Sequence, residues 1–539
     1  MPLIWVTKGH QINIITIFSI VLTELNPGYM LTVKYSKTIC LLMFLAAFSA
    51  CKKDKQEETV IEKPVLKSDK AIKTLLFKAS KNPILVNDVT GEIKGDTIYA
   101  SAFAGTDISS LIPEFTYDGV RIAVGSTDQV TDVTPNDFTK LVTYEVTAED
   151  QTKKNYVVKF TDNGISALYI NTNGTPINSK DIYVTGSIKI VSNFKDIVFD
   201  GKTEIKGRGN STWEMAKKPY RIKLDKKTAI LGMAESKNWV LLANYADKSL
   251  MRNELAFVAS RSSGLKWTVN SRFVEVYLNG SYNGSYLLTE QVKEGKDQVD
   301  VEDGGYLLEQ DGFAEREPVY FKTPKGVPIT IKYPDEKITQ SQRDYITDHV
   351  LKFETALFAA NFADPVAGYR KYFDVDSYVN YYLVNEVMGN PDTFWSTYHY
   401  KKASDDKIYT GPVWDFDISI NNDDRLGDNT NKLMLNAGFD PKMWIKRLME
   451  DPAFRQKIRS RWNVLKPTMQ TLPATASLLE KKLAVSQVRN FARWNILNTK
   501  VYQEVQLAGT YAGEVAYVKN VLTNHINWLD TKFNSAEYQ

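Results

Sequence analysis

The sequence predicts a multidomain protein in which an all-β module precedes a larger α+β domain. Short alternating apolar runs, separated by Gly, Asn, Asp and Pro, occupy about residues 71–162 and are typical of a small β-sandwich. Longer strand patterns with one helix follow to about residue 312, and helical periodicity dominates from about residue 336 onward. The chain of 539 residues is long enough for two to four domains.

Residues 1–50 form a predicted targeting segment. The apolar run over about 38–48 is too short, and too charged at its flanks, to span a membrane as a helix. Small residues then precede Cys51, a pattern that resembles the lipobox of bacterial lipoproteins, where the cysteine is lipidated after cleavage. We therefore expect lipidation at Cys51; the alternative is an ordinary secretory signal in which this cysteine is incidental. Because a signal normally begins a chain, we expect Met30 to be the true start and 1–29 to be a mis-called extension.

Residues 51–70 are charged and nearly free of large apolar side chains, which predicts a solvated tether after the lipidated cysteine. The β-rich module at 71–162 resembles the immunoglobulin-like modules of Bacteroidetes-type surface lipoproteins. No catalytic pattern is visible in it, so we expect a spacer or adhesion role.

The rest of the chain divides into a strand-rich lobe at about 164–312 and a helix-rich lobe at about 336–539. In the first lobe, "FVEVYLNGSYNGSYLLTE" predicts a hairpin, with turn signals at Asn279-Gly280 and Asn283-Gly284. The lobe's single helix lies in "DKSLMRNELAFVASRSSG", with Asp247 among its cap candidates. This order of lobes is also the layout of a protein kinase, which holds ATP and Mg²⁺ between them.

Two carboxylates lie one residue apart in "GPVWDFDISI", residues 411–420. Alternation predicts a strand there, with Val413, Asp415 and Asp417 on one face. Like charges side by side are unfavourable unless a positive group lies between them, which indicates a divalent cation held by both acids. A turn or capping role for one aspartate is the alternative.

A glycine-rich loop in "EIKGRGNSTWEMAKKPYRIKL" supplies groups that suit an anion. Its glycine positions allow close backbone approach, and basic and polar side chains add donors. The predicted phosphate-binding residues of the loop are Arg208, Gly209, Asn210 and Ser211. A lysine of the following segment, Lys218 or Lys223, is the predicted phosphate contact, and alternation does not choose between them. Glycine turns without a ligand are common, so an ordinary turn is the alternative.

These motifs resemble those of the spore-coat protein H (CotH) kinase family in its Bacteroidetes lipoprotein form. The resemblance is carried, in order, by "IKGRGNSTW", "KKPYRIKL", "LLANYADKSLMRNELA", "FVEVYLNGSYNGSYLLTE", "NEVMGNPDTFW" and "GPVWDFD". It runs from about residue 164 to near 535, within the predicted domain 164–539. It implies an atypical protein-kinase-like fold that uses ATP with a divalent metal, Mg²⁺ or Mn²⁺, and phosphorylates Ser or Thr of protein substrates.

The resemblance also implies roles for particular acids. Asp392 in "GNPD" matches the family's catalytic-loop aspartate, Asp415 matches its metal-binding aspartate, and Asp417 is the second acid of that motif. Kinase catalytic loops carry a metal-binding Asn five residues after the base, where this chain has Thr397. A hydroxyl coordinates a metal more weakly than an amide oxygen, so Thr397 is a metal-ligand candidate that bears on activity.

Four positions of the strand-rich lobe are candidates for the nucleotide pocket. Glu254, on the lobe's single helix, could pair with the phosphate lysine, and Arg252 and Asn253 are equally plausible residues facing the pocket. Glu290 ends the hairpin where a hinge between the lobes is expected, although it could be a solvated charge.

Composition excludes several other functions. A net charge of +3 gives no reason to expect nucleic acid, and four His make a multi-His zinc site unlikely for this chain. The predicted function is therefore an atypical Ser/Thr protein kinase, lipid-anchored through Cys51 outside the cytoplasm on a bacterial membrane. The alternative is a catalytically inactive kinase-like surface protein that binds a glycan or another surface ligand. A glycoside-processing enzyme is a third, weaker candidate, because the basic glycine loop has no purpose in sugar hydrolysis.

Overall fold

A computed structural model describes residues 65–85, 88–102, 106–161, 165–194, 196–335 and 337–539. The predicted targeting segment, Met30, Cys51 and the tether up to residue 64 lie outside these residues. Leu66–Gln539 forms one compact unit.

The N-terminal module is built entirely from strands that form two sheets. In chain order the strands are β1 (Ile72–Phe77), β2 (Val89–Thr90), β3 (Glu92–Lys94), β4 (Thr97–Ser101), β5 (Glu114–Tyr117), β6 (Arg121–Val124), β7 (Thr127–Asp128), β8 (Val142–Thr147) and β9 (Lys153–Thr161). One sheet has the order β2-β1-β5 and the other β3-β4-β9-β8-β6-β7. Apolar side chains from both, such as Phe77 and Val158, share one buried core. The module is a β-sandwich, as its alternating pattern predicted.

Seven strands then close into a barrel. The elements are β10 (Ser166–Asn171), β11 (Val184–Val191), β12 (Ile197–Gly207), α1 (Ser211–Glu214), β13 (Tyr220–Thr228), β14 (Ser236–Leu242), α2 (Arg252–Ser262), β15 (Ser271–Leu278) and β16 (Ser281–Glu290). The order around the barrel is β10-β11-β12-β13-β14-β16-β15, and parallel pairing of β10 with β15 closes it. The hairpin turn lies at Asn279-Gly280, whereas the Asn283-Gly284 signal falls inside β16. Helix α2 follows β14 and leads into β15.

A second sheet joins residues from both sides of the predicted lobe boundary. Its strands are β17 (Tyr306–Gln310), β18 (Tyr320–Lys322), β19 (Pro328–Tyr333), β20 (Thr397–Lys401) and β21 (Ile408–Thr410). Their order is β18-β19-β17-β20-β21, so β17 pairs with a strand about ninety residues later. Strands β20 and β21 immediately precede the acidic loop in the sequence, so this sheet fixes the point at which the loop begins.

Helices make up most of the C-terminal part. They are α3 (Gln340–Phe358), α4 (Val375–Met388), α5 (Met434–Ala437), α6 (Met443–Leu448), α7 (Pro452–Met469), α8 (Leu472–Lys482), α9 (Ala484–Arg493) and α10 (Tyr511–Phe533). Helix α4 is buried along almost its whole length, and α7 and α10 pack around it. The predicted arrangement, a β-rich N-terminal region followed by an α+β region, is confirmed. Among the described residues, no helix combines the length and apolarity needed to cross a bilayer.

Candidate functional site

The acidic segment is a loop, so the strand predicted over residues 411–420 is wrong. Strand β21 ends at Thr410, and the chain then runs without regular structure into turns at 417–420. Asp415 has a φ of +70°, a left-handed conformation that breaks the alternation of an extended strand. Such backbone conformations persist in non-glycine residues only where surrounding contacts hold them. The two acids are therefore presented by a bent loop and not by one strand face.

Helix α2 holds this loop from one side. The side-chain oxygen of Asn253 accepts a hydrogen bond of 2.9 Å from the Phe416 N–H, between the two acids. Arg252 donates from Nε to the Ser419 carbonyl at 2.9 Å, while its own guanidinium pairs with Asp247. All of these polar side chains on the barrel side are buried. Arg252 and Asn253 were candidates for residues that face the nucleotide pocket. In the structure both bind the backbone of the acidic loop and hold it in position.

The end of α4 holds the loop from the other side. The Ile420 N–H donates to the Met388 carbonyl at 2.7 Å, and the Asn390 side chain donates to the Asp415 carbonyl at 3.4 Å. Gly389 ends the helix in the left-handed conformation, with a φ of +54°. The chain then turns directly into the short segment that carries Asp392.

Four carboxylates interact here. Burial and the neighbouring charges of Asp415, Asp247 and Asp392 raise the pKa of Asp417 well above its usual range. Burial also raises the pKa of Asp415, although Arg208 opposes the shift. Surrounding protein and the Asp415 charge raise the pKa of Asp392 to about 6, against the opposing charge of Arg425. Asp415 nevertheless reaches solvent, and Asp392 and Asp417 are half-buried. The acids are crowded, short of positive charge and accessible.

The glycine loop reaches this acidic cluster through Arg208. The Arg208 guanidinium lies over the Trp414 ring, 5.6 Å from its centre, and its charge acts on Asp415. The structure therefore brings together two segments about two hundred residues apart.

Local sterics explain why both positions in this loop are glycine. A Cβ at Gly207 would overlap the Trp213 ring, and Gly209 has a φ of +85° beside the Thr212 hydroxyl. Both therefore shape the turn itself. Asn210 and Ser211 lie exposed at its tip, and their side chains make no hydrogen bond to any described residue. These two side chains are free to contact a ligand.

Neither predicted phosphate lysine points to the acids. Lys218 donates to the Trp213 carbonyl and lies 5.1 Å from the centre of that ring. Lys223 is exposed and pairs with Glu204 across the sheet at 2.7 Å. The neighbouring Lys217 is fully buried, with its ammonium donating to the Asn490 side chain of α9 at 2.9 Å and to the Ser285 carbonyl. In this conformation all three lysines are committed to protein groups.

Glu254 and Glu290 also have partners other than a phosphate lysine. Glu254 pairs with Arg261 at 2.8 Å and accepts a hydrogen bond from Ser271. Glu290 is buried at the end of β16, where one oxygen accepts from the Asn270 backbone and side chain. Its other oxygen, Oε1, is buried without a described partner. Burial raises the pKa of Glu290.

Thr397 lies at the start of β20, and among the described residues its hydroxyl bonds no carboxylate. Its hydroxyl is buried and bonds with the Tyr381 hydroxyl at 3.0 Å and the Thr393 carbonyl at 3.1 Å. These contacts connect α4 to the second sheet. They account for a polar residue at this position without a metal.

Several residues at the site carried no sequence signal. Arg425 is clamped by the buried carboxylate of Asp423 and lies over Phe439 and Tyr502, 4.5 and 5.7 Å from their ring centres. The charges of Asp392 and Asp417 act on the Tyr502 hydroxyl, and that of Arg425 acts on Asp392. Each of these residues sits in an ordinary polar stretch, and only folding brings them to the acids. Asp247 was visible as a helix cap, but its nearness to Asp417 was not.

The donor set fits a divalent cation completed by phosphate oxygens. Among the residues that the structure describes, no group of three or more His, Cys, Asp or Glu is arranged as a ready-made metal site. Mg²⁺ is usually bound by one or two carboxylates together with substrate phosphates. Asp415 and Asp417 match that pattern, because each destabilises the other's charge and a cation between them would remove the repulsion.

Comparison with known proteins supports two assignments. Residues 82–160 match the family described as SGBP, N-terminal, and residues 205–529 match the family described as CotH kinase protein. A search of curated proteins finds no match. A solved structure from Bacteroides thetaiotaomicron, described as a glycoside hydrolase, is 14% identical; the match covers 48% of this chain and 64% of that one. Its TM-score of 0.17 supports no inference. The CotH match spans more than half of the chain, and the chain therefore belongs to the CotH kinase protein family.

Proposed function

We propose that this protein is an atypical protein kinase that transfers the γ-phosphoryl group of ATP to a Ser or Thr hydroxyl of a protein. The observation that carries the proposal is the meeting of Arg208, from the glycine loop, with Asp415 and Trp414 of the acidic loop. Kinase chemistry needs a positive phosphate cradle beside metal-binding acids and a base. The proposal includes a kinase-like arrangement of two lobes, with the barrel and α2 on the nucleotide side.

In this proposal the residues divide the chemistry as follows. Asp415 and Asp417 hold Mg²⁺ or Mn²⁺, which neutralises phosphate charge when bound. Arg208, Asn210 and Ser211 donate to phosphate oxygens. Asp392 accepts the acceptor hydroxyl proton as the oxygen–phosphorus bond forms and the bond to the leaving ADP oxygen breaks. A pKa of about 6 leaves Asp392 mainly ionised at neutral pH and still basic enough for this role.

The second candidate is a kinase-like binding protein without transferase activity. Two observations favour it: within the described part of the chain, Lys217, Lys218 and Lys223 are all bound to protein groups, and the N-terminal module matches the SGBP N-terminal family. In that case the ligand is a glycan or another surface molecule. Under either candidate we propose lipid anchoring at Cys51 on the outer side of a bacterial membrane.

Calorimetric titration of ATP into the full chain, with Mg²⁺ or Mn²⁺, distinguishes the two candidates. We expect binding that requires the metal and is lost in Asp415→Ala. Transfer of labelled phosphate to protein is then measured with Asp392→Asn, which retains nucleotide binding and loses turnover. If wild type binds no nucleotide with either metal, the binding-protein candidate replaces the kinase.

A further inference from the structure

A polar groove of about 570 Å³ lies beside the acidic loop. One wall is the chain that continues from the loop, residues 421–431. The other walls are the segment at Val505–Gln506 and one face of helix α10. No residue of the groove was singled out by the sequence.

Uncharged amide side chains dominate this groove. Asn520, Asn524 and Asn527 lie four and three residues apart, so they share one face of α10. Gln506 and Asn431 line the groove with them. Among the described residues, Asn431, Gln506 and Asn527 make no side-chain hydrogen bond, and Asn524 bonds only Asn520, at 3.3 Å. The groove therefore offers free donors and acceptors in equal measure.

The groove carries one negative charge, which is held by hydrogen bonds. Among the described residues that line it, Asp428 alone is charged, and its carboxylate accepts from Thr430 N–H, the Thr430 hydroxyl and the Asn421 side chain. These bonds lower its pKa. Asp428 therefore stays ionised at neutral pH, so the groove suits a neutral polar ligand and disfavours an anion.

The groove begins close to the reacting groups. The Asn422 side chain donates to the Asp417 carbonyl at 2.9 Å, and Asn421, the next residue back, is part of the groove floor. On the other wall, Tyr502 lies near Asp392, and Val505 follows three residues later. Three residues span at most about 11 Å. The groove is therefore lined by segments that adjoin, in the sequence, residues that act on Asp417 and Asp392.

An extended peptide backbone matches this surface best. Each peptide unit carries one donor and one acceptor, which a single Asn or Gln side chain can satisfy together. The rise between Asn520 and Asn524 along the helix is about 6 Å, near the roughly 6.7 Å that two extended residues cover. A sugar site normally adds an aromatic ring for stacking. Among the described residues that line the groove, Tyr517 is the one aromatic side chain, and its hydroxyl is bonded to Asn421.

We propose that this groove binds the extended backbone of the polypeptide acceptor next to its Ser or Thr; this rests on the kinase function proposed above. The acceptor is accordingly an unfolded or loop segment, chosen by its backbone more than by charge. The groove would thereby place the hydroxyl at Asp392.

The test uses the full chain and a 12-residue peptide of Gly, Asn and Gln with one central Ser. Asn524→Leu/Asn527→Leu removes amides from the groove, and Thr523→Leu changes an exposed position of the same helix outside it. We expect the double variant to raise the KM for peptide at least tenfold while kcat and ATP affinity stay unchanged. The control should behave as wild type. N-methylation of the peptide's backbone amides should weaken its binding to wild type as much as the double substitution does. The methylated and unmethylated peptides should bind the double variant equally.

Fluorescence anisotropy of the labelled peptide separates this proposal from the kinase proposal. If wild type transfers no phosphate but binds the peptide and the double variant does not, the groove assignment stands and the kinase function fails. If the double variant binds as well as wild type, or wild type binds no peptide at millimolar concentration, the groove assignment is overturned. Displacement of the peptide by a neutral oligosaccharide of six units would also overturn it.

Discussion

Asn253 accepts a hydrogen bond from the Phe416 N–H at 2.9 Å and thereby joins helix α2 to the chain between Asp415 and Asp417. The same helix binds the Ser419 carbonyl through Arg252. The helix of the strand-rich part therefore acts on the acids through the backbone of their loop, and not through an ion pair between Glu254 and a phosphate lysine.

Asn253→Ala should abolish metal-dependent ATP binding while the protein stays folded. The change leaves the Phe416 N–H buried without an acceptor, at a cost of roughly 1–3 kcal/mol, and frees Asp415 from its left-handed conformation. Calorimetry measures the binding, and urea unfolding measures the stability. Ser262→Ala, at an exposed position of the same helix, is the control; equal ATP affinity in both variants would refute the positioning role.

The buried pair of Lys248 and Glu504 joins residues 256 positions apart. Lys248→Met should lower the free energy of unfolding by roughly 3–5 kcal/mol, because it leaves a buried carboxylate without its cation. Glu504→Gln added to this variant should recover much of the loss, since a neutral amide still accepts from the Val501 and Tyr502 N–H groups. Urea unfolding of the two single variants and the double variant provides the test. A double variant no more stable than Lys248→Met would contradict the argument.

Thr397→Val separates a structural role from a metal-binding one. Loss of the hydroxyl bonds to Tyr381 and Thr393 should cost about 1 kcal/mol of stability and leave metal-dependent ATP affinity within twofold. Asp417→Asn is the comparison, and it should weaken binding at least tenfold. If Thr397→Val weakens binding as much as Asp417→Asn, Thr397 is a metal ligand as its sequence position suggested.

The pH dependence of transfer should report Asp392. The base works when ionised, so the rate should fall as pH drops through the pKa of Asp392, which is about 6 without bound ligands. The Arg425 charge lowers that pKa, so Arg425→Gln should move the acid limb of the profile to higher pH. Arg425→Lys keeps the charge and should leave the limb in place. An unmoved limb in Arg425→Gln would show that Asp392 is not the titrating base.

Burial of Lys217 should make the free energy of unfolding of the protein rise as the pH is raised above neutral. Burial lowers its pKa to about 7 in the folded chain, against 10.5 for an ordinary lysine. Between these values the unfolded chain binds a proton that the folded chain does not, so the free energy of unfolding rises with pH, by about 4–5 kcal/mol over the whole interval. Urea midpoints of wild type and Lys217→Met from pH 7 to 10 measure this component. Lys223→Met, at an exposed site, should rise in parallel with wild type; a parallel rise in Lys217→Met would refute the assignment.

The sequence could predict those features whose cause is local. The Asn279-Gly280 turn between β15 and β16 follows from the conformational preferences of two neighbouring residues. Motif chemistry and the family resemblance predicted a phosphate-binding role for Arg208 and metal-binding roles for Asp415 and Asp417, and both roles stay predictions. The family assignment itself was confirmed over residues 205–529.

The rest depends on contacts that neighbouring residues do not encode. The strand at 411–420 failed because Asn253 and Met388 anchor the loop in a bent path that alternation cannot reveal. Arg425 and Tyr502 reach the acids only because distant segments pack together. Alternation did not choose between Lys218 and Lys223 as the phosphate contact. The barrel pairs β13 with β12, and the Lys223 ammonium pairs with Glu204.

The ion pair of Lys248 with Glu504 has a consequence for folding during synthesis of the protein. A chain made from its N-terminus presents the glycine loop and α2 long before residue 504 exists. Until then Lys248 lacks its counter-ion, and Tyr502 and Gln503 cannot dock on the turn that carries Asp424 and Arg425. A nascent chain of the first 450 residues would therefore hold every predicted nucleotide contact and still lack the packing that surrounds the acidic loop. For the proposed kinase, nucleotide binding should accordingly be gained only after the last helices have been synthesised and packed.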